Sequence, residues 1–501
     1  MTIVLTVVVY FLFLLCVGRW SSGKGDNDTF FRGCRESPWW LVAIGMVGAS
    51  LSGVTFVSVP GMVIDHGMTY LQTCLGFIVG YVVVAFVLLP LYYRLNLTTI
   101  YGYLRDRLGL RSYRTGAMFF LLSKLTGGAL RFFVLCTILD VFVLRPLGVP
   151  FAITVFSMVL LIWLYTHRGG IKTLVWTDVI QTLCLFVSLV MLILSVVDAL
   201  GLTLAEAFSA VASDVHSVVF EFESWHSGDY FWKQFLSGIF IVVVMTGLDQ
   251  DMMQKHLTCK TLRGAQKDMC SYGVAFVPAN LLFLCLGVLL LLLCEREGVA
   301  LPMRSDSLLP MFAATGRLGE VVTLFFALGI VSASFSSADS ALTSLTTSFC
   351  VDICDRPFDE RLRRRVHLCM CVVFGLLIIA ANAVGSGSVL EGVYVLCTYT
   401  YGPLLGMFSF GLLTRRVVTD AAVPWIAVLS PVVCFIVERL VTMFTDYRFG
   451  YEVLMLNGVL TFMGLWVFSS GGLTPNSSIP GLPSFPSQVR HLRTRAKLPS
   501  P

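Results

Sequence analysis

Apolar runs of about 18 residues or more recur along nearly the whole chain, and no other feature restricts its fold so tightly. Thirteen such runs lie near residues 2–18, 38–60, 68–93, 115–143, 148–166, 174–200, 231–253, 269–294, 318–348, 366–384, 388–413, 421–442 and 451–470. A bilayer offers no water to backbone N–H and C=O groups, so each run predicts a membrane-spanning helix. Of the 501 residues only 13% are charged and mean hydropathy is +0.83, about half the charge a water-soluble domain of this size carries. Soluble enzymes and nucleic-acid-binding proteins are thereby excluded. The fifteen cysteines stand singly in apolar runs, as at Cys74, Cys136, Cys184 and Cys285, and read as small buried hydrophobes rather than disulfide or metal sites. The first run lacks a basic leader and a small-residue cleavage site before Arg19, so it reads as a helix rather than a secretory signal.

Loop charge predicts the sidedness. Loops 19–37, 94–114, 167–173, 254–268, 353–365 and 414–420, with the tail after 470, hold 26 of the 35 Lys and Arg residues. The opposite loops hold only Arg145, Arg296, Arg304, Arg317 and Arg448, and the long loop 201–228 has neither Lys nor Arg. The basic set faces the cytoplasm, which puts the N-terminus outside and the C-terminus inside. The tail, rich in Pro and Ser with Arg490, Arg493, Arg495 and Lys497, reads as disordered and able to rest on anionic lipid. With no GxxxxGK[ST] loop, and no HExxH or GxSxG, the chain has no residues for ATP-driven pumping or intramembrane hydrolysis. A transporter or channel driven by an ion gradient is what is left.

Two spans carry polar groups at mid-membrane depth. The second contains Gly48-Ala49-Ser50-Leu51-Ser52-Gly53-Val54-Thr55-Phe56-Val57-Ser58, then Pro60-Gly61. A helix unwound there would expose carbonyl oxygens to a cavity or ligand, whereas an unbroken one would use the same small residues for close packing. In the ninth span Ser336, Ser337, Ser340, Thr343, Ser344 and Thr347 fall along one stripe with Asp339 in its middle. Such hard oxygen ligands suit Na⁺, and a carboxylate at that depth calls for a cation or a proton. Hydroxyls bonded back to their own helix are the alternative, which leaves Asp339 unexplained.

In the sixth span Asp178 and Gln181 sit one turn apart; Asp178 reads as a cation ligand, as a helix cap or as a partner of Lys172. Asp249, Gln250, Asp251 and Gln254 read as a cytoplasmic helix end and gate rather than a mid-membrane ligand. Lys124 and Arg131, seven residues apart on one face of the fourth span, are functional candidates as intramembrane cations. Snorkelling of Lys124, or its pairing with Asp339 or Asp140, is the alternative.

Taken in order, several segments resemble one family. They are Asp26-Asn27-Asp28-Thr29-Phe30-Phe31 before Trp39-Trp40, Leu51 to Phe56, Gly169-Gly170-Ile171-Lys172 with Trp176 to Gln181, Asp249-Gln250-Asp251 with Gln254, Ser336 to Ser340, and Tyr401-Gly402-Pro403-Leu404-Leu405-Gly406. Together they are similar to the sodium:solute symporter family over nearly the whole chain, nearest to its iodide and multivitamin branch. The resemblance implies an all-α membrane protein of about 13 transmembrane helices with a leucine-transporter-type core. That core is two inverted five-helix repeats, at 38–200 and 231–413. Residues 1–37 add an N-terminal helix and the first cytoplasmic loop, 201–230 an external loop, 414–470 two C-terminal helices and 471–501 the basic tail.

The resemblance also implies site residues. A Na⁺ site would use main-chain carbonyls at Gly48, Leu51 and Ala333 with the hydroxyls of Ser336 and Ser337, and Ser336 precedes Asp352 by the 16 positions usual in the family. Asp178, Asp339 and Ser340 would hold a second cation or a proton; Asp339 stands where the family usually has Ser or Thr, which leaves the ion count open. Solute-facing candidates are Thr55, Ser58, Gln72, Lys124, Arg131, Thr246 and Tyr401, with Arg131 near the position of the carboxylate-binding arginine of sialic-acid members.

The implied activity is secondary active transport: symport of a small organic solute, anionic or carboxylate-bearing, into the cell by alternating access, with Na⁺ as coupling ion and no enzymatic step. A proton-coupled or uncoupled carrier of the same fold, and a solute-sensing receptor, are the rival readings. Expected partners are the solute and the lipid bilayer, with no nucleic acid and no obligate protein partner. The implied location is the plasma membrane, a bacterial inner membrane by general resemblance.

Overall fold

Helices with one face for lipid and one for protein make up almost the whole molecule. The computed structural model describes residues 2–470 apart from 24, 146–147, 385–388, 446 and 448. Among them nine helices are long and apolar enough to cross a bilayer, or eleven spans if each of two bent pairs counts once. The runs expected at 2–18 and 451–470 are also helical, over Thr2–Ser21 and Val453–Val467. The basic tail expected after 470 lies outside the described residues.

The helices that build the sites are α1 (Thr2–Ser21), α2 (Trp39–Ser50), α3 (Gly53–His66), α4 (Tyr70–Arg94), α5 (Leu110–Leu139), α6 (Phe151–Gly169), α7 (Ile171–Ala199), α8 (Phe231–Gly247), α9 (Gln250–His256), α10 (Leu262–Glu297) and α11 (Glu320–Ile353). On α7, Leu183, Val187, Val190 and Leu194 are exposed at three- and four-residue spacing, while Asp178, Gln181, Leu185, Leu189 and Leu192 are buried. The apolar exposed stripe is the lipid face, and the polar residues turn inward. That inward face packs lengthwise on α11 and on α2. Lipid gives helices no hydrophobic reason to associate, so close approach and hydrogen bonds must hold them.

Two spans are broken. The axes of α2 and α3 bend by 58°, and those of α8 and α9 by 72°. Leu51 (φ −82°, ψ 75°) and Ser52 (φ −66°, ψ 168°) leave the helical region, and the Ser52 hydroxyl restarts the chain by accepting from the Thr55 N–H at 3.4 Å. Glycine is required on both sides of this break. A Cβ at Gly48 would collide with Thr182 of α7, and one at Gly53 with the Ser334 hydroxyl of α11. The small residues around Leu51 therefore do both jobs that the sequence left open, since the helix is broken there and also pressed against its neighbours. At the second break Asp249 (φ −103°, ψ 118°) is extended, and its carboxylate caps α9 by accepting from the Asp251 N–H at 2.8 Å.

Candidate ion and solute sites

The break in the second span exposes the end of a helix to α11. The Leu51 N–H to Val47 C=O bond, 3.1 Å, closes the ladder of α2, so the carbonyls after Val47 turn to other partners. One of them, Ala49, accepts from the Ser337 hydroxyl at 3.2 Å, and the same hydroxyl lies 3.3 Å from the Ala333 carbonyl. Ser337 thus links the middle of α11 to the end of α2, where Gly48 and Leu51 lie within two residues of Ala49. Ser336, next along α11, donates to Asp178 Oδ1 of α7 at 2.6 Å. The predicted Gly48, Leu51, Ala333, Ser336, Ser337 and Asp178 therefore come from three helices that meet at one place.

Asp339 lies one turn beyond Ser336 and is fully buried. Its Oδ2 accepts from the Tyr165 hydroxyl of α6 at 2.6 Å and its Oδ1 from Ser340 at 3.1 Å; Ser340 also reaches the Ser336 carbonyl at 2.7 Å. Asp178 has a partner that the sequence did not suggest. Lys255 Nζ, at the end of α9, lies 2.7 Å from its Oδ2, an ion pair without an aligned hydrogen bond. Lys172, one of the partners considered for Asp178, pairs instead with Glu36 at 3.6 Å.

Beside this cluster a cavity of about 110 Å³ opens between α2, α3, α4, α5, α8 and α10. Its polar lining includes Ser52, Thr55, Lys124, Arg131, Thr246, Asp251 and Ser337, and its apolar wall Phe77, Ile241, Val242 and Phe276. The hydroxyls of Ser50, Tyr272 and Tyr81 form a chain along one side, each link 2.5 Å. Ser337 both lines the cavity and touches the α2 carbonyl, so the cavity and the cluster at the helix break share a side chain.

The two intramembrane cations differ. Lys124 Nζ is 2.9 Å from Asp249 Oδ2 and 2.7 Å from Asp251 Oδ2, and Tyr401 donates to Asp249 Oδ2 at 2.5 Å. Neither partner considered for Lys124 is the one found: Asp339 is taken by Tyr165, and Asp140 pairs with Arg145 at 2.6 Å. Asp249 caps the helix that begins at the bend between α8 and α9, and Asp251, in its first turn, lines the cavity. Arg131, two turns along α5 from Lys124, lines the cavity and has no hydrogen bond or ion pair with any described residue.

Three predicted solute residues lie elsewhere. Gln72 donates to the Asp229 carbonyl at 2.9 Å and accepts from the Glu221 N–H at 3.2 Å, so it anchors the loop at 201–230. Tyr401 holds Asp249, and Ser58, although buried, is not among the cavity-lining residues. Lys255 was missed because it was counted with the basic loop 254–268. Its signal was the spacing from Asp251, one turn away on a short segment bounded by Leu248 and Leu257.

Two broken helices that meet a buried row of hydroxyls, with a polar cavity at the same depth, define a secondary active transporter with the leucine-transporter fold. The chain belongs to the sodium:solute symporter family, whose profile matches residues 30–427. It is 24% identical to the sodium/sialic acid symporter NanT of Aliivibrio fischeri, over 82% of each chain, and 25% identical to the sodium/sialic acid symporter SiaT of Proteus mirabilis, over 84% of this chain and 86% of that one. The human sodium/iodide cotransporter is 23% identical over 79% of this chain and 63% of its own. Among solved structures, a substrate-bound, outward-open Na⁺-coupled sialic acid symporter superposes with a TM-score of 0.80 at 20% identity, covering 93% of this chain and 97% of that one. A nucleobase-cation-symport-1 transporter in a closed conformation gives 0.54 at 18% identity, over 87% and 93%. The protein is an integral membrane symporter and not an enzyme: it couples Na⁺ to the movement of a small solute by alternating access.

Proposed function

We propose that the solute is a small organic anion, held through Arg131 and carried into the cell with Na⁺. The observation behind this reading is the unequal state of two cations in one cavity. Lys124 is neutralised by two carboxylates, whereas Arg131 has no such partner among the described residues and has five N–H donors to offer a carboxylate. Thr55 and Thr246 supply hydroxyls for the rest of the solute. The names of two relatives include sialic acid, an acidic sugar, which agrees with an anion.

Na⁺ binds at the end of α2, among the carbonyls of Gly48 and Leu51, the carbonyl of Ala333 and the hydroxyls of Ser336 and Ser337. The Ser337 contacts to Ala49 and Ala333 support this seat, because they bring hard oxygens of two helices around one point. External Na⁺ joins the broken span to α11, solute then closes the outer side, and both leave to the cytoplasm as one bundle rocks against the other. One Na⁺ crossing about 100 mV gains about 2.3 kcal/mol and a tenfold gradient adds roughly 1.4, together enough for roughly 500-fold accumulation.

The inverted repeats span 38–200 and 231–413, flanked by the N-terminal helix (1–37), the external loop (201–230), two C-terminal helices (414–470) and the basic tail (471–501). The loop charges support an external N-terminus and a cytoplasmic C-terminus, and the likeness to bacterial symporters supports a bacterial inner membrane. A second reading, proton coupling through Asp339, is favoured by that buried carboxylate's having hydroxyl partners, Tyr165 and Ser340. A thermal-shift screen of the purified protein against organic anions, sugars, amino acids and vitamins, each in Na⁺ or K⁺, decides between them. An anion that stabilises only in Na⁺ supports the proposal; stabilisation that ignores Na⁺ and follows pH supports the second reading.

A further inference from the structure

Asp178 and Asp339 give the ion cluster two carboxylates, and among the described residues one cation faces them. That cation is Lys255, itself buried, with Nζ 2.7 Å from Asp178 Oδ2 while Ser336 holds Oδ1 at 2.6 Å. Around the Asp178 carboxylate the place where a second metal ion would sit is thus taken by an ammonium group.

The short helix that carries the ammonium is held by its neighbours. Gln254, next to Lys255 on α9, donates to the Phe31 carbonyl at 2.8 Å and to Thr347 of α11 at 3.0 Å. One turn back, Asp251 is locked to Lys124 at 2.7 Å. Asp251 and Asp249 also face this region, and Lys124 offsets part of their charge. Asp339 takes its hydrogen bonds from Tyr165 and Ser340, and neither brings a charge.

We propose that Lys255 is a tethered cation filling the second cation position at Asp178, so that this symporter binds one Na⁺ per cycle. The inference rests on the Na⁺ site at Ser336 and Ser337 proposed above. With the groups of the adjoining cavity included, four carboxylates (Asp178, Asp339, Asp249 and Asp251) and three cations (Lys255, Lys124 and Arg131) leave a single negative charge. One Na⁺ neutralises it, and a second would leave net positive charge in a site closed to water, where uncompensated charge is costly. Replacing Lys255 with an uncharged side chain vacates the position and restores the second negative charge.

The test is saturation binding of radioactive Na⁺ alone to the purified full-length protein, counted per molecule. The expected result is one Na⁺ for the wild type and for Lys255→Arg, two with a sigmoidal isotherm for Lys255→Met, and one again for Lys255→Met combined with Asp339→Asn. Two Na⁺ on the wild type, or one on Lys255→Met, overturns the tethered-cation proposal and leaves the Na⁺ site standing. No Na⁺ on the wild type overturns both. If Lys255→Met does not fold, Asp339→Asn in the wild-type background replaces it, because removing the surplus negative charge should weaken Na⁺ binding by roughly tenfold or more; unchanged affinity overturns the charge count.

Discussion

Ser336 donates a 2.6 Å hydrogen bond to Asp178 Oδ1 across 158 residues of sequence, and so ties the hydroxyl stripe of α11 to the polar face of α7. Both side chains are buried. An ion that draws on the Ser336 oxygen also acts on Asp178, and through it on Lys255 and the short helix α9. The other end of α9 reaches the solute cavity through Asp251. One seven-residue helix therefore touches both proposed sites, a short physical path by which Na⁺ and solute would be coupled.

Replacing both hydroxyls, Ser336→Ala with Ser337→Ala, is expected to abolish Na⁺ dependence and concentrative uptake while the protein still folds. The measurement is Na⁺-dependent thermal stabilisation alongside uptake into proteoliposomes. Na⁺ affinity equal to that of the wild type would refute the site.

Arg131→Ala should remove stabilisation by a carboxylate solute and spare that by a neutral one. Arg131 has no hydrogen-bond or ion-pair partner among the described residues, so the fold should tolerate the change. A loss of one charge-assisted contact corresponds to about 1.5–3 kcal/mol, or roughly 10–150-fold in affinity. Equal loss of charged and neutral ligands would instead mark the arginine as structural.

Lys124→Met leaves Asp249 and Asp251 facing each other without their cation. Breaking a buried pair in this way costs about 3–5 kcal/mol, so the melting temperature of the detergent-solubilised protein should fall sharply. Combining it with Asp251→Asn should recover part of the loss. An unchanged melting temperature in the single variant would show that the pair does not hold the cavity floor.

Gly48→Ala puts a methyl group into Thr182. Overpacking of this kind costs about 1–3 kcal/mol, and here it also pushes the end of α2 away from the Ser337 hydroxyl. Reduced stability together with weaker Na⁺ binding is expected. Reduced stability with unaltered Na⁺ binding would separate helix packing from the ion site.

By itself the sequence determined what depends on near neighbours. The apolar runs fixed the membrane class because a bilayer core accepts only helices whose backbone bonds are made within the segment. The Gly48–Gly53 cluster marked one place where a helix could break, and the Asp249–Asp251 run a helix end, since small and capping residues act within one turn. The Ser336–Ser340 stripe announced the oxygen-rich face for the same reason. What tertiary structure decided was pairing. Lys124 had four buried carboxylates within conceivable reach, and only the packing of α5 against the second break selected Asp249 and Asp251 over Asp339 and Asp140. Lys255 looked like one more basic residue of a cytoplasmic loop until the 72° bend carried α9 inward to Asp178. Hydropathy is a sum over a local window, whereas an ion pair between helices depends on bend angles and helix rotations set by the whole bundle.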